Sequence, residues 1–126
     1  MSQTSSATVY GIPNCDTVKK ARDWLSAAGL HYEFHDFKKA GVPEAALADW
    51  LQALGWEGVL NRKGTTWRKL DAALQATVTD AASAAAVMRS HPSVVKRPVV
   101  RWPNGRISVG FSPAQFAALQ GASSSA

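Results

Sequence analysis

Residues 8–12 run Thr-Val-Tyr-Gly-Ile, and after them Val18, Ala21, Leu25 and Ala28 recur at helical spacing. The first run predicts a short buried strand. The second predicts a helix over 16–28, stopped by Gly29. Residues 31–37 then alternate, with Tyr32 and Phe34 facing one way and His31, Glu33 and His35 the other. That alternation predicts a second strand. Two strands joined by a helical crossover favour parallel pairing.

The middle of the chain keeps the helical period. Pro43 suits a first-turn position, Leu47, Trp50, Leu51 and Leu54 follow at i, i+3, i+4 and i+7, and Gly55 ends the run. Residues 59–70 predict a loop and a short helix. Residues 80–90 are Ala-rich, with Thr79 as N-cap and His91-Pro92 as the stop. Strands return at 98–102 and 106–110 around Pro103-Asn104-Gly105, a hairpin signal. The closing helix has Ser112 as cap, Pro113 first, Gln115 at the capping-box position and Gly121 as its stop. Phe111 and Phe116 have the spacing of a hydrophobic staple.

The order is β-α-β, a helical block, then β-β-α. Without the helical block, an α/β sandwich with a mixed four-stranded sheet remains. This is a thioredoxin-like fold with a helical insertion. The expected organisation is one domain over 7–120, with the insertion at about 41–92. Residues 1–6 and 121–126 are small and polar and are expected to be disordered tails.

At 126 residues the chain can bury a core of its own. Its net charge of +5 comes from 14 basic and 9 acidic residues. The basic residues are dispersed, with no basic helix face interleaved with aromatics, so no nucleic-acid module is assigned. No stretch is long and apolar enough to span a membrane, and no basic segment precedes an apolar one at the N-terminus. His31 and His35 are four apart on a strand, about 13 Å, too far for one metal ion, and no metal site is assigned. The single cysteine rules out an internal disulfide and fits a reducing cytoplasm.

That cysteine, Cys15, sits where the first strand hands over to the first helix. Helix N-terminal N–H groups and the dipole favour a thiolate there, and Lys19, one turn further in, adds positive charge. A reactive thiolate is one reading of Cys15; a small buried apolar residue is the other. Thr17 offers a hydroxyl and a backbone N–H close to the thiol. Trp67, beside Arg62 and Thr65, is the best candidate for lining a groove.

Four blocks occur in order: Gly-Ile-Pro-Asn-Cys-Asp-Thr-Val-Lys-Lys-Ala, Leu-Asn-Arg-Lys-Gly-Thr-Thr-Trp-Arg-Lys-Leu, His-Pro-Ser-Val-Val-Lys-Arg-Pro-Val-Val and Val-Gly-Phe-Ser. Together they resemble the arsenate reductase (ArsC)/Spx family, most closely its YffB-type branch, over about residues 7–120. The resemblance implies the same thioredoxin-like fold, with Cys15 as catalytic cysteine and Lys19 as a basic residue on its helix. It implies that Arg97 contacts an oxyanion and that Pro98 is cis and faces the thiol. Asn61 stands where arsenate reductases carry a second arginine, with Arg62 next to it, and Gly110 stands where they carry a third. Val18 occupies the second cysteine position of the Cys-x-x-Cys found in many Spx regulators.

The activity implied is a glutathione-dependent thiol/disulfide reductase working through one thiolate. It would hold no bound cofactor and use glutathione as co-substrate, with glutaredoxin as a candidate partner. Its substrate would be a small anion or a disulfide, bound by Thr17, Lys19, Arg62, Arg97 and Pro98. The alternatives are a glutaredoxin-coupled arsenate reductase and an Spx-like regulator contacting RNA polymerase. A monomer is expected, with no membrane or direct nucleic-acid partner.

Overall fold

The computed structural model describes residues 6–124. In chain order its elements are β1 (Ala7–Gly11), α1 (Asp16–Ala27), β2 (Tyr32–Asp36), α2 (Phe37–Ala40), α3 (Glu44–Leu54), α4 (Trp56–Val59), α5 (Thr65–Arg68), α6 (Ala72–Ala76) and α7 (Ala81–Ser90). A 3-10 turn at Pro92–Val94, β3 (Val99–Arg101), β4 (Ile107–Val109) and α8 (Pro113–Ser124) follow. They fall into two compact units. One comprises the chain up to Asp36 and again from Arg97; the other is Phe37–Lys96.

The first unit is built on a four-stranded sheet ordered β2-β1-β3-β4. β1 runs parallel to β2, with Val9 opposite Phe34, and antiparallel to β3, with Val9 opposite Val100. β3 and β4 pair as a hairpin. Gly105 closes it in the left-handed region (φ 90) and donates to the Trp102 carbonyl at 2.8 Å. This is a three-residue loop whose last position requires positive φ, which glycine adopts without strain.

Ala7, Val9, Ala21, Leu25, Val100, Trp102 and Phe116 form one buried cluster. The period read from the sequence thus turns Val18, Ala21 and Leu25 inward. Ala28 is the exception: it is the exposed C-cap, already turning out of the helix. The Leu30 and Gly29 N–H groups then bond the Leu25 and Ser26 carbonyls, closing α1 with a Schellman turn. Trp102 is buried with its Nε1 donating to Ser108 Oγ at 3.0 Å, so its polar edge is satisfied.

At the last helix, Ser112 Oγ accepts the Gln115 N–H at 3.1 Å. The Gln115 side chain does not complete the box. It donates instead to the Val109 carbonyl at 3.2 Å, tying α8 to the end of β4. The staple forms, with the Phe111 and Phe116 rings 4.7 Å apart and edge-on. Gly121 does not stop the helix, which continues to Ser124. One interior glycine costs only about 1 kcal/mol, and the following Ala-Ser-Ser sequence contains no breaker. The C-terminal tail expected from 121 is thus helical as far as Ser124. Residues 1–5 and 125–126 lie outside the described part, and Ser6 is exposed.

In the second unit, α3 buries Leu47 and Trp50, and Pro43 is its N-cap rather than its first residue. Phe37, expected to finish a strand, opens α2 instead and packs near Trp50, ring centroids 6.1 Å apart. α7 is capped by Asp80, not Thr79. Asp80 Oδ1 accepts the Ser83 N–H at 2.9 Å, and Ser83 Oγ accepts the Asp80 N–H at 3.1 Å. Aspartate wins because only its side chain completes a reciprocal box. The Ser83 backbone and side-chain hydrogen bonds hold the Asp80 carboxyl below its ordinary value. The cap's contribution is therefore present above the unfolded carboxyl value and lost as pH falls through the lowered folded one. Asp80→Ala should lower the thermal midpoint at neutral pH, and Thr79→Ala should leave it nearly unchanged. Equal effects in thermal melts would contradict this cap assignment.

Candidate active site

β1 ends at Gly11, and Ile12-Pro13-Asn14 turn the chain into α1. The Cys15 N–H bonds the Ile12 carbonyl at 3.3 Å, closing that turn. Cys15 is itself the N-cap, extended at φ −97, ψ 125, and its carbonyl accepts the first helical bond from Lys19 at 2.9 Å. An N-cap side chain is positioned to accept from the N–H groups two and three residues on. Here those are Thr17 and Val18, which face the sulfur closely enough to bias its charge although Cys15 makes no full side-chain cap hydrogen bond.

Arg97 reaches the same sulfur through the register of the sheet. Tyr10 pairs with Val99 in antiparallel β3, so the residues before Val99 lie beyond Tyr10, level with the turn that carries Cys15. The Arg97–Pro98 peptide is cis, and Pro98 is buried. The Pro98 carbonyl accepts the Gly110 N–H at 2.9 Å.

Opposing effects set the thiol's acidity. Partial burial pushes its pKa up. Hydrogen bonding from the Val18 N–H, the hydrogen bond and charge of Arg97, and the Thr17 N–H push it down. The lowering groups win, and Cys15 lies below the ordinary thiol value of 9.0. The result is a half-exposed sulfur biased toward the nucleophilic thiolate.

Cys15, Thr17 and Arg97 therefore come together, Thr17 through its backbone N–H, and Pro98 follows Arg97 in the chain. Lys19 is exposed and is not among the groups that act on the thiol. Arg62 belongs to the second unit, where it pairs with Glu57 at 3.3 Å and lies over the Trp56 ring at 5.5 Å. Trp67 is half-buried in that unit, its carbonyl taken by Gln75 at 2.7 Å. Asn61 organises its own loop: Oδ1 accepts the Lys63 N–H at 3.2 Å, and its N–H bonds the Val94 carbonyl at 2.7 Å. Gly110 has φ 78, a conformation that an arginine there would adopt only with strain.

The sequence reading missed the Val18 N–H, the foremost of the lowering groups. Counting from Cys15 as N-cap puts Val18 third in the helix, where the capping donor belongs. Among the described residues, no group of three or more His, Cys, Asp or Glu is placed to hold a metal ion. Nor is any described helix long and apolar enough to cross a membrane.

The model of the ArsC family matches residues 10–119. The chain belongs to the ArsC family. Two solved structures share its architecture. One is the YFFB protein, 47% identical with a TM-score of 0.83 over 90% of this chain and 97% of that one. The other is an arsenate reductase (ArsC) related protein from Brucella melitensis, 48% identical with a TM-score of 0.71 over 94% and 97%. Among curated relatives, the global transcriptional regulator Spx of Streptococcus agalactiae serotype V is 24% identical over 114 residues, 89% of this chain and 81% of that protein. The YFFB likeness fits the YffB-type branch of the family, and the mixed sheet with its helices is thioredoxin-like, as the element order predicts.

Proposed function

We propose that this ArsC-family chain is a glutathione-dependent thiol/disulfide reductase that uses Cys15 as its one thiolate. The observation that carries the reading is the sulfur at the α1 N-cap, made more acidic by the first-turn N–H groups and by Arg97. With one cysteine in the chain, no internal disulfide can complete a cycle. The electrons must come from an external thiol.

The cycle has two exchanges. The Cys15 thiolate attacks the glutathione sulfur of a mixed disulfide. A Cys15–glutathione disulfide forms, and the substrate sulfur leaves as a thiolate that takes a proton from water. A second glutathione, reacting as thiolate, attacks the Cys15–glutathione bond. Oxidised glutathione leaves, and the Cys15 thiolate is restored. The substrate is reduced by two electrons, and two glutathione sulfurs are joined. Arg97 serves as donor to the thiolate, and Thr17 contributes its N–H. Lys19 is available to a glutathione carboxylate from the exposed side of α1, with Pro98 as a further binding residue. A reducing cytoplasm supplies the glutathione, with glutaredoxin as a candidate partner in turnover.

The test couples reduction of a glutathione mixed disulfide to glutathione reductase and NADPH, with intact-mass analysis of the resting protein. Turnover saturating in glutathione, with one glutathione adduct at Cys15, is expected. Absence of both adduct and turnover would overturn the reading. Arsenate is a separate arm of the same assay. Arg97 favours it, but Asn61 is committed to its own loop and Gly110 has no side chain, so weak or no arsenate turnover is expected. The Spx-like reading predicts binding to purified RNA polymerase that Cys15→Ser leaves intact.

A further inference from the structure

Gly11 is the last residue of β1, buried, and paired with Asp36 across the parallel ladder. It is not among the glycines with positive φ, so its backbone would suit any residue. Gly29, Gly105 and Gly110 are the reverse case: each has positive φ, and a Cβ added there would meet nothing within 4 Å. At Gly11 the constraint is space. A Cβ would stand 2.8 Å from Val18 Cγ2 and 3.5 Å from Val18 Cγ1.

We propose that Gly11 is a positioning residue for the thiol: its missing side chain lets the first turn of α1 close onto the end of β1, which sets the Val18 N–H against Cys15 Sγ. This rests on Cys15 being the reactive group of the function proposed above. Three features make the contact unable to yield elsewhere. β1 is held on both sides, by β2 and by β3. Val18 is fully buried, and a valine in a helix has one strongly preferred rotamer, so its methyl groups cannot swing clear. Cys15 is anchored to the Ile12 carbonyl on the strand side of the turn. A side chain at position 11 must therefore push Val18 with its backbone, and the distance that opens is the one between the Val18 N–H and the sulfur.

The experiment measures the iodoacetamide alkylation rate of Cys15 against pH in wild type, Gly11→Ala, Val18→Ala and the double variant, with folding followed by circular dichroism. Gly11→Ala should slow alkylation below the wild-type midpoint severalfold, up to about tenfold, as a thiolate losing one donor does. In the Val18→Ala background, where the methyl groups are gone, the same change should have no further effect. Should Gly11→Ala fail to fold, a double variant that folds and alkylates like Val18→Ala supports the proposal. Three results overturn it: Gly11→Ala folds and alkylates like wild type, it slows alkylation equally in both backgrounds, or the double variant unfolds while Val18→Ala folds. The titration uses no substrate, so it stands whatever the glutathione assay returns.

Discussion

Arg97→Ala should slow alkylation of Cys15 and glutathione-coupled turnover at neutral pH, and the loss should vanish in alkali. The guanidinium both hydrogen-bonds the sulfur and places a positive charge beside it. A hydrogen bond to a charged group contributes about 1.5–3 kcal/mol, a factor of about 10–100 in thiolate population. The thiol is half-exposed, so solvent screening holds the effect toward the lower end. Arg97→Ala raises the thiol's pKa, so less thiolate exists at any pH below the wild-type midpoint. Well above the variant's own raised value both proteins are ionised and their rates converge.

The same sign governs stability. Because the folded value is lowered, the unfolded chain binds more protons between it and 9.0, and wild-type stability rises with pH across that window. The contribution is complete above 9.0 and is lost as pH falls through the folded value. Arg97→Ala should shrink this rise, and Cys15→Ser should remove it together with all turnover. Arg97→Lys keeps the charge but not the planar fork, and should fall between wild type and alanine. An alkylation profile for Arg97→Ala that overlays wild type would remove Arg97 from the site.

The residues that could be read from the sequence share one property: their roles follow from spacing along the chain. Val18, Ala21 and Leu25 declare a buried face, Asn104-Gly105 a hairpin, and Phe111 with Phe116 a staple. Placing Cys15 at a helix start needed only the change of rhythm after Ile12. What could not be read depends on choices between near-equal local partners. Thr79 and Asp80 are both good caps, and only the position of Ser83 favours the second. Gln115 fits a capping box, but the Val109 carbonyl, brought close by β4, takes its side chain. α6 escaped because Ala72–Ala76 has no apolar period of its own.

The site divides along the same line. Family resemblance and helix position pointed to Cys15 and Arg97, and the β1–β3 register explains how residues so distant in sequence meet. Lys19 is not among the groups that lower the thiol's pKa, because one turn along a helix is not the same as capping its N-terminus. The role of Gly11 was invisible because a glycine at the end of a strand looks like a turn former. Its function appears only when a Cβ is set against Val18. The valine that stands in place of a second cysteine thereby acquires a packing role in this chain, beneath the turn that carries the first.

Phe116→Ala should be among the most destabilising single changes in the first unit. Phe116 is fully buried and meets three rings edge-on: Trp24 at 5.5 Å, Trp102 at 5.0 Å and Phe111 at 4.7 Å. Truncating a buried phenylalanine costs about 3–5 kcal/mol through lost transfer energy and the cavity left behind. Edge-to-face pairs add about 0.5–1.5 kcal/mol each, which places this site toward the upper end. Against a total stability of about 5–15 kcal/mol, such a loss consumes a large fraction. Phe116→Leu keeps most of the apolar volume and loses the ring contacts, so it separates the two contributions and should cost clearly less. Urea unfolding followed by tryptophan fluorescence reads both, because Trp24 and Trp102 flank the ring. A midpoint shift for Phe116→Ala equivalent to less than about 1 kcal/mol would mean that the aromatic cluster is not what joins α8 to the sheet.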